Sequence, residues 1–448
     1  VNIPLLIRDL VILLFVALLV IAIARKLAIP YTLGLVIAGL GLGLLRWLPE
    51  VQLTPDFILF VLLPALLFEG AWHSNLQQLR NNWRVIFFLA GPGLLFSVAI
   101  IALLLHLLEP LDWPTAFLLA AILSPTDPVA VLGMFRQLHV NERLSSIIEG
   151  ESLFNDGVAG SLYQSFLLFL VLSNHAHPVS GWHAIGIGVW HFIIDAGGGA
   201  AIGAVIAFLI SLSLRRVNDS LIEVTATLVT AYGTFWIAQT CQTSGITAVI
   251  VAGLLMGNYG RNTSMSQKTS EDVDTFWNVA AFIANAIIFL LIGVEFQPLS
   301  HLFTGNERVQ TWIVSLFAIA VILIARLFLV STLTVHKWFR RPGWMQEQNI
   351  SLLGSQALPY SWQFVVFWSG LHGALSLALV LAIPTVIPMR STLLVSTYAV
   401  VLFTLLVQGF SLRWVLQRVL SPTSKEHLRD LQCMPEQRII ETSEGIDS

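Results

Sequence analysis

Between residues 149 and 156 the chain reads Glu-Gly-Glu-Ser-Leu-Phe-Asn-Asp, three carboxylates, a hydroxyl and an amide inside one long apolar run. A charge near the centre of a membrane helix costs about 2.5–3.5 kcal/mol on insertion scales, so three carboxylates there point to an ion-binding site rather than to filler. Spacing sorts them. Ser152 and Asp156 are four apart and share a helix face, and Glu151 and Asn155 share the neighbouring one. The first pair can turn a hydroxyl and a carboxylate toward a cavity, the second a carboxylate and an amide toward an adjacent helix. Hard oxygen ligands suit Na⁺ or Li⁺, as they do other hard cations. A carboxylate out of water can also take a proton. One aspartate that holds either ligand, but not both, is a minimal exchanger. Glu149, a further turn toward one end, reads as funnel-lining.

Two other segments are built to break a helix in mid-membrane. In Leu123-Ser-Pro-Thr-Asp-Pro-Val-Ala130, Pro125 and Pro128 bracket Thr126 and Asp127, and each proline removes a donor and clashes with the preceding turn. Backbone freed in this way is tolerated only where it lines a cavity or is buried in protein. Asp127 then either caps the second half-helix or serves the ion, and the two roles are compatible. Trp368-Ser-Gly-Leu-His-Gly-Ala-Leu-Ser376 places Gly370 and Gly373 around His372. These are glycines either for close packing or for a second interruption. Two interrupted helices at matching places in the two halves of a chain point to an inverted repeat with the site between them.

The remaining intramembrane charges need partners. Arg326, in Ile324-Ala-Arg326, cannot shed its proton and is the only basic group besides histidine deep inside a membrane run, since Arg8, Arg46 and Arg413 sit near the ends of theirs. Glu151 is its best counter-ion, since it faces away from the Ser152/Asp156 side; the pair pins the sixth run to the eleventh. Glu69, in Phe68-Glu-Gly-Ala71, reads as an organiser of the site, with proton carrier or neutral acid as alternatives. Asp195, Glu223 and Glu295 lie nearer segment ends. His175, His177 and His183, among Ser, Asn and Gly, read as a solvated loop rather than a metal site.

The elements that must position these groups are membrane helices. The chain has 448 residues, 56% hydrophobic and only 11% charged, with mean hydropathy +0.80; soluble domains carry about 25% charged residues. Thirteen apolar runs are long enough to cross a bilayer: 6–24, 30–48, 55–73, 85–108, 114–135, 145–172, 189–213, 219–240, 245–260, 275–297, 311–335, 362–386 and 391–416. With the N-terminus outside, eighteen of the 23 Lys and Arg fall on the inner side and only Arg8, Arg46, Arg308 and Arg390 outside, as cytoplasmic loops require. Inserting or deleting one run spoils that asymmetry, so the C-terminus is expected inside. Residues 1–420 form one transmembrane domain and 421–448 a short polar tail. The first run lacks the cleavage site of a secretory signal. Two cysteines give neither a disulfide framework nor a metal spacing. A net charge of −3 from few groups gives no nucleic-acid footprint, and no phosphate loop of the G-x-x-x-x-G-K type is present. No cofactor and no ATP are expected; transport would run on gradients.

Taken in order, Phe68-Glu-Gly-Ala71, Ser124-Pro-Thr-Asp-Pro-Val-Ala130, the 149–156 stretch, Ile324-Ala-Arg326 and Gly370-Leu-His-Gly-Ala374 resemble the monovalent cation:proton antiporter-1 family, the NhaP-type and eukaryotic-exchanger-like sodium/proton antiporters. The motifs span residues 68–374. The resemblance implies an all-α antiporter fold with inverted repeats and two broken, crossed helices. It implies a homodimer, each subunit with a core (helices about 55–172 and 275–386) and the remaining helices as dimerisation scaffold. By the same resemblance Asp156 binds cation and proton alternately. Ser152 and the Thr126 carbonyl help hold Na⁺, Glu69 and Asn155 organise, and Glu151 pairs with Arg326. Asn155-Asp156, where other members have Asp-Asp, resembles the electroneutral branch. One departure stands out: the family's arginine in the twelfth helix is His372 here, a group that titrates at about pH 6.5 when unperturbed, which suggests a pH-dependent contribution or a packing role.

The sequence therefore predicts a multi-pass cell-membrane antiporter exchanging Na⁺, or Li⁺, for H⁺ by alternating access, and not an enzyme. Potassium/proton exchange is the nearest rival, because oxygen ligands at this level do not separate Na⁺ from K⁺. A cation channel needs a continuous polar pore. An aspartyl protease using Asp127 and Asp156 as a dyad lacks the surroundings for that chemistry.

Overall fold

In a bilayer, backbone N–H and C=O groups must be satisfied within the protein, which leaves a chain this apolar the helix, and every regular element among the described residues is helical. The computed structural model describes residues 3–26, 30–45, 55–108, 111–175, 181–217, 219–294, 308–335, 358–384, 387 and 389–419. In chain order the helices are α1 (Ile3–Lys26), α2 (Tyr31–Leu45), α3 (55–73), α4 (Leu76–Asn81), α5 (Trp83–Leu108), α6 (Trp113–Ile122) and α7 (Val129–Gln137). They continue with α8 (Glu142–His175), α9 (Gly181–Leu214), α10 (Ser220–Thr240), α11 (245–264), α12 (Gln267–Val294), α13 (Arg308–Val335), α14 (Tyr360–Trp368), α15 (Ala374–Leu381) and α16 (Arg390–Val419).

Every apolar run of the sequence overlaps one helix or one pair of short helices. Of these, α1, α5, α9, α10, α12, α13 and α16 are long and apolar enough to cross a membrane by length and composition. The fifth and twelfth runs are each divided: α6 stops at Ile122 and α7 starts at Val129, while α14 stops at Trp368 and α15 starts at Ala374. Single π turns interrupt α3 at Ile58–Leu62, α5 at Leu89–Gly93 (which contains Pro92), α11 at Met256–Gly260 and α16 at Thr404–Gly409.

The helices pack in two groups. One holds α5, α6, α8, α13 and α16 around the divided helices; the other holds α1, α2, α3, α9, α10, α11 and α12; α8 touches both through α9 and α11. This differs from the division expected above, which put 55–73 and 275–297 with the core and left 391–416 out of it. Close backbone approach explains the difference. A Cβ on Gly253 of α11 would lie 2.7 Å from the Ala71 Cβ and 3.0 Å from the Phe68 carbonyl oxygen of α3, and one on Gly39 of α2 would lie 3.0 Å from the Gly293 Cα of α12. Small residues that let helix backbones touch are the usual adhesive between membrane helices, and they fasten α3 and α12 to the second group. The histidine loop's side chains, Glu295 and residues 420–448 lie outside the described residues.

Candidate functional site

The two divided helices cross at their breaks, and several of the freed backbone groups there meet named partners. The Asp127 N–H donates to the Leu371 carbonyl at 2.7 Å. His372 Nδ1 lies 2.9 Å from the Pro125 carbonyl, which can only accept, so this nitrogen carries the hydrogen. The His372 N–H donates to Thr404 Oγ1 at 3.2 Å. The Ser124 carbonyl, at the open end of α6, accepts from Asn155 Nδ2 at 3.0 Å, and the Val366 carbonyl of α14 accepts from the Arg326 guanidinium at 3.1 Å. Buried backbone groups left without partners are rare for energetic reasons, and here side chains of α8, α13 and α16, with His372 itself, meet those named.

Charge follows the helix ends. The Asp127 carboxylate accepts from the Val129 N–H at 2.9 Å and faces the Ala374 N–H, so it sits at the N-terminal ends of both α7 and α15. Arg326 sits at the C-terminal end of α14. Both placements suit the sign of the helix dipole. Two glycines make the approach possible: a Cβ on Gly373 would lie 2.7 Å from the Asp127 Cβ, and one on Gly370 would lie 3.0 Å from the Arg326 Nε.

The acidic stretch of α8 divides by face, as its spacing requires. Glu151, 1% exposed, is ion-paired with Arg326. Asn155 turns its amide to the α6 break and also reaches Thr126 Oγ1 at 3.4 Å, while Ser152 Oγ and Thr126 Oγ1 are 3.1 Å apart. Ser152 and Asn155 stand behind Thr126 rather than on the cavity wall. Asp156 is on that wall, and its Oδ1 is buried with no hydrogen-bond partner.

The cavity has a volume of about 320 Å³ and runs from the crossing between α3, α7, α8 and α12. Four carboxylates line it: Glu69, Asp127, Glu149 and Asp156. Three are engaged. Asp127 holds the helix ends, Glu149 accepts from Ser74 Oγ at 2.7 Å, and Glu69 Oε1 lies 3.3 Å from His73 Nδ1. The cavity reaches the surface beside Gly133 and Arg136, both exposed. Beyond Ala374, in the other direction, lies a separate cavity of about 80 Å³ lined by Ile58, Ile288, Leu291, Ile292, Leu377, Leu381 and Tyr398. The polar path among the described residues therefore opens to one side and meets an apolar barrier on the other.

Several wall residues did not stand out in the sequence. Asn278 and Asn285 of α12 and Tyr31 of α2 face the same cavity; Asp274, Asn278 and Asn285 recur at helical spacing, a polar stripe legible with hindsight. Glu69 and His73 stand at i, i+4, which is also a readable signal. Asp195 and Glu223 are fully buried, away from the cavity, on α9 and α10.

Interrupted helices crossing beside a half-open carboxylate cavity define an ion-coupled membrane transporter of the antiporter fold. Residues 11–418 match the family described as sodium/hydrogen exchanger, transmembrane, and the chain belongs to that family. Among similar proteins, the Na(+)/H(+) antiporter NhaH of Halobacillus dabanensis is 33% identical over 420 residues, 92% of this chain and 97% of the relative. ApNhaP, a Na(+)/H(+) antiporter of Aphanothece halophytica, is 37% identical over 87% of this chain and 70% of the relative. The sodium proton antiporter MjNhaP1 from Methanocaldococcus jannaschii has the same fold, with a TM-score of 0.72 over 94% of this chain and all of that one, at 18% identity.

Proposed function

We propose that this protein exchanges Na⁺ for H⁺, one for one, at Asp156 by alternating access. The observation that carries the reading is the unequal state of the four cavity carboxylates: only Asp156 presents a buried oxygen without a partner. A group already holding helix ends or a hydroxyl gives up those bonds to take a cation; Asp156 gives up nothing but a proton. Na⁺ and H⁺ then compete for one carboxylate, and competition couples the flows. Thr126, with Ser152 behind it, supplies the neighbouring oxygens, Asn155 holds the break open, and the Glu151–Arg326 pair fixes α8 against α13.

The cavity mouth lies at the end of the molecule carrying Arg136, Arg143 and Arg261, where Arg143 Nε also reaches Asn82 Oδ1 at 2.9 Å. The positive-inside rule makes that the cytoplasmic face, so this conformation is inward-facing, with the N-terminus outside and thirteen crossings. Assembly as a homodimer in the cell membrane, and acceptance of Li⁺, belong to the same proposal. The apolar barrier beyond Ala374 speaks against a channel, and the relatives' names favour sodium over potassium.

The test is proton flux in inverted vesicles energised by respiration. Adding Na⁺ or Li⁺ should collapse the pH gradient in the wild type, K⁺ should not, and Asp156→Asn should be silent. Retained Na⁺-driven collapse in Asp156→Asn would end the proposal. A rate that depends on voltage would end its one-for-one stoichiometry.

A further inference from the structure

At the cytoplasmic-side mouth of the cavity, one imidazole stands between two carboxylates from different helices. His73 closes α3. Its Nδ1 lies 3.1 Å from the Glu69 carbonyl oxygen and 3.3 Å from Glu69 Oε1. Both are acceptors, so Nδ1 carries a hydrogen. Its Nε2 lies 3.7 Å from Asp274 Oδ1 on α12. In the imidazolium both nitrogens are donors, and the ring bridges Glu69 and Asp274. In the neutral ring with hydrogen on Nδ1, the Nε2 lone pair faces a carboxylate, and the bridge is repelled at that end.

The two carboxylates are not equally free to respond. Asp274 is fixed without His73: Trp72 Nε1–H donates to its Oδ1 at 2.7 Å and the Arg261 guanidinium to its Oδ2 at 2.6 Å. Glu69 has its side-chain ion pair only with His73 among the contacts described. Loss of the Nε2 proton therefore leaves Asp274 in place, turns a lone pair on it, and leaves Nδ1–H on Glu69 without the ring's positive charge. The other charged groups at this mouth are Glu149 on α8, bonded to Ser74 Oγ, and Arg136 on α7. Neither takes over His73's role, since Glu149 is committed to Ser74 and Arg136 stands across the wall on another helix.

We infer that His73 is a positioning residue whose proton decides whether the charge of Glu69 at the mouth is neutralised or left uncovered beside the cation's path. This rests on the cavity being that path. At acid pH the imidazolium neutralises Glu69 and adds a positive charge to the entry route. At alkaline pH both effects vanish and the cavity attracts Na⁺ more strongly. The result is a dependence of Na⁺ affinity on pH beyond plain competition at Asp156, set by a residue that never touches the bound ion.

The experiment is Na⁺ titration calorimetry on the purified full-length protein across pH, for the wild type, His73→Gln and His73→Arg. Removing or fixing one charge at this distance changes affinity by roughly threefold to tenfold at a partly screened site. His73→Gln should bind Na⁺ that much more tightly than the wild type at about pH 6, and His73→Arg that much more weakly at about pH 8.5. Three superimposed curves of affinity against pH would overturn the inference. His73 sits at a helix end with about a quarter of its side chain exposed (27%), so a lost fold is not expected. Asp274→Asn reads the same bridge from its other side and should flatten the wild-type curve. Because binding is read without flux, the outcomes separate: His73-dependent binding without exchange breaks only the antiport proposal, and exchange with superimposed curves breaks only this one. A wild type that binds no Na⁺ overturns both.

Discussion

Glu151 and Asp156 lie five residues apart on α8, one clasped by a guanidinium and the other facing a cavity with an oxygen left over. Both are acids deep in an apolar protein. The surroundings, not the residue types, assign them to different work. Glu151 is buried to 1% exposure against Arg326, which also closes the C-terminal end of α14. Through that pair α8, α13 and α14 are tied together. Asp156 ties nothing. A buried carboxylate without a partner is costly in one conformation, and in the proposed mechanism that cost is what lets a proton or a cation bind there in turn.

The comparison is most easily broken through stability. Arg326→Ala should cost about 3–5 kcal/mol, because it orphans Glu151 and uncaps α14. Replacing both partners with leucine should recover most of that loss in a denaturation measurement, since the penalty belongs to the unpaired charge. Asp156→Asn should lose no stability at all, and a melting temperature as low as that of Arg326→Ala would contradict the division of roles. Next in size is Asn155→Ala, which leaves the Ser124 carbonyl bare at the α6 break; roughly 1–3 kcal/mol is expected. Gly373→Ala acts on the same crossing by pushing a methyl into Asp127, with a similar loss from overpacking, about 1–3 kcal/mol. Purified yield and thermal melts in detergent check each.

His372 gives the smallest effect. It donates Nδ1–H to the Pro125 carbonyl and its N–H to Thr404, so the geometry makes it a fastener of the crossing. His372→Gln, which keeps a donor, should cost under about 1 kcal/mol and leave the pH profile of exchange in place. A displaced profile would restore the titrating role suggested by the exchange of the family's arginine for histidine.

Much of this site could be read before any coordinates, and the reasons are local. Proline at 125 and 128 must break a helix, the i, i+4 spacing of α8 must put Glu151 and Asp156 on different faces, and an arginine in a membrane run must find an acid. What stayed hidden depends on distance through space. His73 and Asp274 are 201 positions apart in the chain, and nothing in either neighbourhood announces the other. The grouping of α3 and α12 with α2 and α11 follows from which glycines face which backbones, and periodicity alone does not reveal that. Asp127 was legible as either cap or ligand; the structure gives it the N-terminal ends of two helices, while its place on the cavity wall keeps the second role within reach.

The most direct test of the central claim counts protons released when Na⁺ binds. Calorimetry in buffers of different ionisation enthalpy, on purified protein in a His73→Gln background, isolates the contribution of the cavity carboxylates. The account predicts a single proton released for each Na⁺ bound when residue 156 is aspartate, and neither binding nor release in Asp156→Asn. Proton release that survives Asp156→Asn would contradict it, because another carboxylate would then be carrying the exchange.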